Sequence, residues 1–192
     1  KDKNGNDLYP ALKKRFNEVR PDCDLVRLDM MNHFGYYNTE SSEHTAEYHP
    51  YYIKSQYPEF IEKYNIPLDE YPRRCVNQIA NWKKEKEELI AEGNSRDHKR
   101  SGEYGSFIIE ACETDIPYRI HGNVINDGLI DNLPANACVE VPIMIDRNGL
   151  NPCKVGALPE QLAALNRTNI NVQLMTIQAA VTRKKEDVYM AA

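Results

Sequence analysis

The sequence predicts an α+β fold, helix-rich with a small mixed or antiparallel sheet, and three observations carry that expectation. Apolar residues recur at helical spacing through most of the chain before Tyr118, two β-branched runs lie between Tyr118 and Ile145, and a long helical pattern follows from Leu158. Helices set apart from a few strands, without alternating β-α-β units, define α+β rather than α/β. With 192 residues, 41% of them hydrophobic, the chain can bury one sizeable core, so residues 1–192 are expected to form a single domain.

Asp7 is placed to cap a helix running to about Val19, with Leu8, Leu12, Phe16 and Val19 on one face. Arg20-Pro21-Asp22 is a short connection to a second helix, Asp24 to Phe34. Its stripe is Leu25, Leu28, Met31 and Phe34, and Gly35 supplies a left-handed stop. From Tyr36 to Ile53, hydroxyls, carboxylates and imidazoles crowd together with no clean apolar period, a pattern that packing alone does not explain. Pro58 to Tyr64 is a short helix ended by Ile66-Pro67.

A long helix from Tyr71 to Glu92 has Pro72 in its first turn and Gly93 at its end. Val76, Ile79 and Trp82 are expected to form its buried face, while Lys83 to Glu88 is a solvated run of helical ion pairs projecting from the body. Asn94 to Ser101 is polar and expected to be mobile. It leads to a helix with Tyr104, Phe107, Ile108 and Ala111 on one side. Strands follow at Tyr118–Asn123 and Ala137–Ile145, with turn chemistry at Asn126-Asp127-Gly128, Asn132-Leu133-Pro134 and Arg147-Asn148-Gly149. The helix from Leu158 to Val181 is expected to be interrupted near Thr168 to Asn171.

Composition excludes several functions. The net charge of −5, with lysines interspersed among glutamates, offers no basic footprint for nucleic acid. No apolar run approaches the roughly 18 residues of a membrane span, and the opening Lys1 to Asp7 is polar, so a cytoplasmic protein is expected. Five widely spaced cysteines, odd in number and without a Cys-x-x-Cys pair, read as reduced thiols rather than disulfides or a zinc knuckle. There is no Gly-x-Gly-x-x-Gly, Walker loop or His-Glu-x-x-His.

Gly35-Tyr36-Tyr37-Asn38-Thr39-Glu40-Ser41-Ser42-Glu43-His44-Thr45-Ala46-Glu47-Tyr48-His49-Pro50-Tyr51-Tyr52 resembles the signature of the melibiase-type α-galactosidases of glycoside hydrolase family 4. The resemblance continues through Pro67 to Cys75, Ala80-Asn81-Trp82, Gly122 to Pro134, Val139-Glu140-Val141, Val155 to Pro159 and Leu165 to Gln173, covering nearly the whole chain. It implies the C-terminal domain of a lactate/malate dehydrogenase-like glycosidase. The nucleotide-binding domain and the manganese-binding Cys and His are then expected to precede the first residue, and this chain alone is expected to be inactive.

The implied chemistry departs from the two-carboxylate scheme of most glycosidases. NAD oxidises the sugar at C3, which acidifies the C2 proton, and a protein base removes it. Manganese bridging the C2 and C3 oxygens stabilises the enediolate while the C1 bond eliminates, after which water adds and the ketone is reduced. Without the ketone and the metal, the C2 proton is too weakly acidic for any side chain. The implied substrate is a small α-galactoside such as melibiose. α-Glucosidase and α-galacturonidase activities of the same family, or a non-catalytic sugar-binding or dimerisation module, remain alternatives, and a homo-oligomer is expected.

The candidate base is Tyr48, inside the signature, or Asp24, on the helix before it. Against these stand an ordinary packed tyrosine and a helix cap. Glu43, His44, Glu47 and His49 carry enough donors for a metal, but their spacing matches no zinc helix, so no metal ligand is assigned; His33 is read as structural. Asn123 and Asn126 are natural turn residues that the resemblance places toward sugar and nicotinamide. Arg100 and Tyr104 open a helix expected to border the same site, since a helix start suits polar ligands, although Arg100 reads equally as a solvated loop charge.

Overall fold

The computed structural model describes residues 2–16, 18, 22–91 and 99–191. Val19, Arg20, Pro21, and the stretch from Glu92 to His98, on which several expectations fall, lie outside the described residues. The chain divides into two compact units, residues 1–96 and 97–192.

The first unit contains α1 (Tyr9–Phe16), α2 (Leu25–Phe34), α3 (Ser42–Tyr48), α4 (Glu59–Lys63) and α5 (Glu70–Ile90). A single 3-10 turn, Asp22–Asp24, feeds α2. The core of this unit is α2, which buries Val26, Leu28, Met30 and Met31, joined by Ala46 of α3 and by Tyr52 and Ile66. Gly35 ends α2 as expected: its φ of 84° is left-handed, and its N–H donates to the Met31 carbonyl.

Helix α3 falls where no apolar period exists. It is held by its start, where the Ser41 hydroxyl accepts from the His44 N–H, and by burial of Thr45, whose hydroxyl donates to the Ser41 carbonyl. Helix α5 corrects a second expectation. Val76, Ile79 and Trp82 are each more than half exposed, and none of the residues of α5 is buried by the described residues.

The second unit contains α6 (Tyr104–Thr114), β1 (Tyr118–Ile125), β2 (Cys138–Asp146), β3 (Gly149–Pro152), α7 (Glu160–Thr182) and α8 (Lys185–Ala191). The strands form one antiparallel sheet in the order β1-β2-β3, with Tyr118 opposite Ile145 and Ile125 opposite Cys138 in the first pair. Alternation along β2 turns Val139, Val141, Ile143 and Ile145 inward, where they meet Ile120 of β1, Ala111 of α6, and Ala163 and Ile170 of α7. Burying each of these large aliphatic side chains stabilises the fold by about 1.5–3 kcal/mol. Gly122 sits where a Cβ would come 3.0 Å from the end of the Ile143 side chain, so a larger residue there would have to push that side chain aside.

Helix α7 is unbroken through Thr168–Asn171, contrary to expectation. The polar side chains there are satisfied along the helix itself: the Thr168 hydroxyl donates to the Leu165 carbonyl, and Arg167 donates to the Asn171 side chain.

Candidate functional site

In the first unit the start of α2 and the Gly35–Asn38 turn enclose a compact polar cluster. Asp24 stands in the N-cap position of α2, but its side chain makes no capping hydrogen bond. Its carboxylate instead accepts from the Tyr37 hydroxyl at 2.5 Å and faces the Arg27 guanidinium at 3.3 Å. Arg27 lies over the Tyr37 ring, 4.2 Å from its centroid, and donates to the Asn38 carbonyl. The Tyr37 N–H donates to the Tyr9 hydroxyl at 2.5 Å, and the Tyr9 ring neighbours Tyr36. Two phenols, a carboxylate and a guanidinium thus meet within one hydrogen-bonded group.

Electrostatics assign roles within it. Burial pushes the Tyr37 phenol up to about 12, helped by its hydrogen bond to Asp24 and the charge of that carboxylate. Tyr37 is therefore a proton donor near neutral pH, and Asp24 is the acceptor. A nearby cation would oppose the effect of the carboxylate on the phenol.

Tyr48 lies elsewhere. It is the last residue of α3, is 57% exposed, and its ring neighbours His44 at 6.1 Å between centroids. Among the described residues no hydrogen bond or ion pair joins it to Asp24, whose partners are Tyr37 and Arg27. Around it, the carboxylates and imidazoles of the signature point to separate partners. His44 pairs with Glu47 at 2.8 Å, Glu43 with Arg74 at 3.6 Å, and the His49 ring bonds the Thr45 carbonyl. The hydrogen bond to Glu47 holds the His44 imidazole above its ordinary value. Among the described residues, no three His, Cys, Asp or Glu side chains converge on a point where a metal would sit.

The remaining candidates belong to the second unit. Asn126 is fully buried between β1 and β2, and its carboxamide organises the loop that follows. The amide nitrogen donates to the carbonyls of Ile130, Leu133 and Pro134, while the oxygen accepts from the Ile130 N–H. These bonds commit the side chain to the backbone. Asn123, by contrast, is exposed on β1 opposite Glu140. Arg100 lies 3.6 Å above the Phe107 ring, which stacks on Tyr118, and it also pairs with Glu110 and donates to Ser106. Tyr104, the first residue of α6, is 42% exposed.

Sequence reasoning passed over Tyr9, Arg27 and Tyr37. Tyr37 had a signal, since it lies within the quoted signature and only the choice among its tyrosines was missed. Tyr9 had none, because its pairing partner is 28 residues away.

Comparison with known proteins gives this geometry a family. The model for the family 4 glycosyl hydrolase C-terminal domain matches residues 1–192. An α-galactosidase of Bacillus subtilis (strain 168) is 60% identical over 99% of the chain, and the chain spans 44% of that relative's length. Among solved structures, the lplD protein of Bacillus subtilis matches with a TM-score of 0.81 at 24% identity, over 98% of this chain and 46% of that one. A 6-phospho-α-glucosidase from gut microorganisms, solved in complex with NAD and Mn²⁺, matches with a TM-score of 0.65 at 20% identity, over 98% and 45%. At those identities the structural matches speak for the fold, and the family model with the Bacillus subtilis relative speaks for descent. The chain belongs to the family 4 glycosyl hydrolases, as their C-terminal domain.

Proposed function

We propose that this chain is the sugar-handling part of an NAD- and Mn²⁺-dependent α-galactosidase that hydrolyses small, melibiose-like α-galactosides by oxidation, elimination and addition. The 60% identity to an α-galactosidase across 99% of the chain carries this reading. The structural relative bound to NAD and Mn²⁺ supports the cofactors. When bound, they supply hydride acceptance and charge stabilisation. The described residues do not by themselves fit a manganese site.

What this chain contributes is proton handling. Asp24, oriented by Tyr37 and Arg27, is the carboxylate best placed to take a proton from the sugar, because its side chain is drawn into the cluster instead of capping α2. Tyr48 remains the rival base, with an exposed hydroxyl that a substrate can reach. Within the second unit, Asn123, Arg100 and Tyr104 are proposed as substrate- or cofactor-binding residues, and Asn126 as the residue that holds the loop to Pro134 in shape. The reading includes a cytoplasmic setting, in keeping with five free thiols, and a homo-oligomer, which sedimentation of the full-length protein tests.

Hydrolysis of p-nitrophenyl α-galactoside by the full-length protein, with and without NAD, Mn²⁺ and reductant, is the decisive assay. Turnover that ignores NAD would sink the mechanism. Asp24→Asn is expected to lower kcat by at least about 100-fold with NAD binding intact. If Tyr48→Phe shows that loss and Asp24→Asn does not, the base is Tyr48.

A further inference from the structure

We propose that a pocket along the last two turns of α2 binds one pyranose ring of a neutral glycoside, an inference that rests on reading the chain as part of a glycosidase. The cavity measures about 400 Å³, within the range of small-molecule sites, and shares no lining residue with the Asp24 cluster. Its walls are aromatic: Phe34 and Tyr51 lie 6.1 Å apart at 27°, and Tyr52 meets Tyr64 edge-on at 5.0 Å. Tyr52 is 3% exposed, and its hydroxyl donates to Asp29 Oδ2 at 2.9 Å. The other carboxylate oxygen lies 3.7 Å from His33 Nε2, too far for a hydrogen bond, so it keeps acceptor capacity at the pocket wall.

Charge narrows the occupant. A carboxylate at the wall disfavours an anion. Two of the rings, Tyr64 and Phe60, already have the Lys63 ammonium at 4.9 Å and 5.3 Å from their centroids, which lessens their attraction for a second cation. A neutral ring with an apolar face and hydroxyls at its edge satisfies both walls. In galactose the axial C4 hydroxyl leaves the hydrogens of C3, C4 and C5 together on one face, suited to Tyr51 and Phe34, while ring hydroxyls donate to Asp29.

Saturation-transfer NMR of methyl α-galactopyranoside with the full-length protein, free of NAD and metal, tests the pocket. The C3 to C5 protons should receive saturation from the wild type, and Tyr51→Ala and Asp29→Asn should weaken binding about tenfold. Thermal melting reports whether each variant is folded, and if Asp29→Asn melts early, the exposed Tyr51→Ala decides. No sugar signal in the wild type, unchanged affinity in a folded variant, or displacement of the sugar by tetramethylammonium would each overturn the proposal. Because no cofactor is present, these outcomes are separate from the NAD-dependence that tests the enzymatic reading.

Discussion

Asn126 and Tyr37 show how one side chain decides what its neighbourhood can do. The Asn126 carboxamide makes four bonds to loop backbone with no access to water. Asn126→Ala strips the Ile130 N–H and the Leu133 carbonyl of their partner, while the Ile130 and Pro134 carbonyls keep the Leu133 and Ala137 N–H groups, and it is expected to cost about 2–4 kcal/mol in denaturant unfolding. Asn126→Asp should cost more, since it turns a carboxylate oxygen toward three carbonyls. An unchanged midpoint for either would refute the loop-closing role. For Tyr37 the expected observation is a phenol ionising near 12, above the ordinary 10.0, in an ultraviolet titration. That component should vanish in Tyr37→Phe and move down in Asp24→Asn, whereas Tyr52 is also pushed up, first by burial and then by Asp29, and should be untouched by either change. Because the folded value is raised, the Tyr37 contribution to stability is complete below about pH 10 and is lost as the pH rises through about 12.

Among the elements, α3 is the one whose start and electrostatics can be tested most directly. Glu47 raises the His44 imidazole above 6.5, so an NMR titration should find its midpoint above that value, and Glu47→Gln should bring it down. The sign follows from the raised folded value: the pair contributes below pH 6.5 and loses its contribution as the pH rises through the folded midpoint. A His44 midpoint indifferent to Glu47 would mean the 2.8 Å contact does not persist in solution. The same helix shows where sequence runs out. α2 was legible as a helix because its apolar run ends at a glycine, although the structure buries Val26 and Met30 beside the expected Leu28 and Met31 and leaves Leu25 and Phe34 half-buried; β2 was legible because β-branched residues alternate, and both signals are local. α3 buries only Thr45 and Ala46, so its signal was a cap rather than a stripe. The α5 stripe was legible as helix but not as buried or exposed, since periodicity reports a face and not what covers it. Likewise the signature announced a functional region, yet the joining of Asp24 to Tyr37 and of Tyr37 to Tyr9 depends on contacts distant along the chain.

Across the whole molecule, burial is uneven enough to set an order of local stability. β2 is the central strand, bonded on both sides, and its four inward residues anchor the core of the second unit. α5 is its opposite: 21 residues long, with no buried position among them. Amide exchange follows the cost of opening, which is small for a helix whose face meets water and approaches the global value for a core strand. Exchange measured on this chain should therefore be slowest from Val139 to Ile145 and fast along α5, fastest over Lys83–Ile90, where the ion pairs are exposed and contribute little. Ile143→Ala removes a side chain that is 2% exposed and should cost about 2–5 kcal/mol. The loss should appear as faster exchange through β1, β2, and the parts of α6 and α7 that share the core. If α5 proved as protected as β2, its exposed stripe would have to be covered in solution, and the order of stability argued from burial would fail.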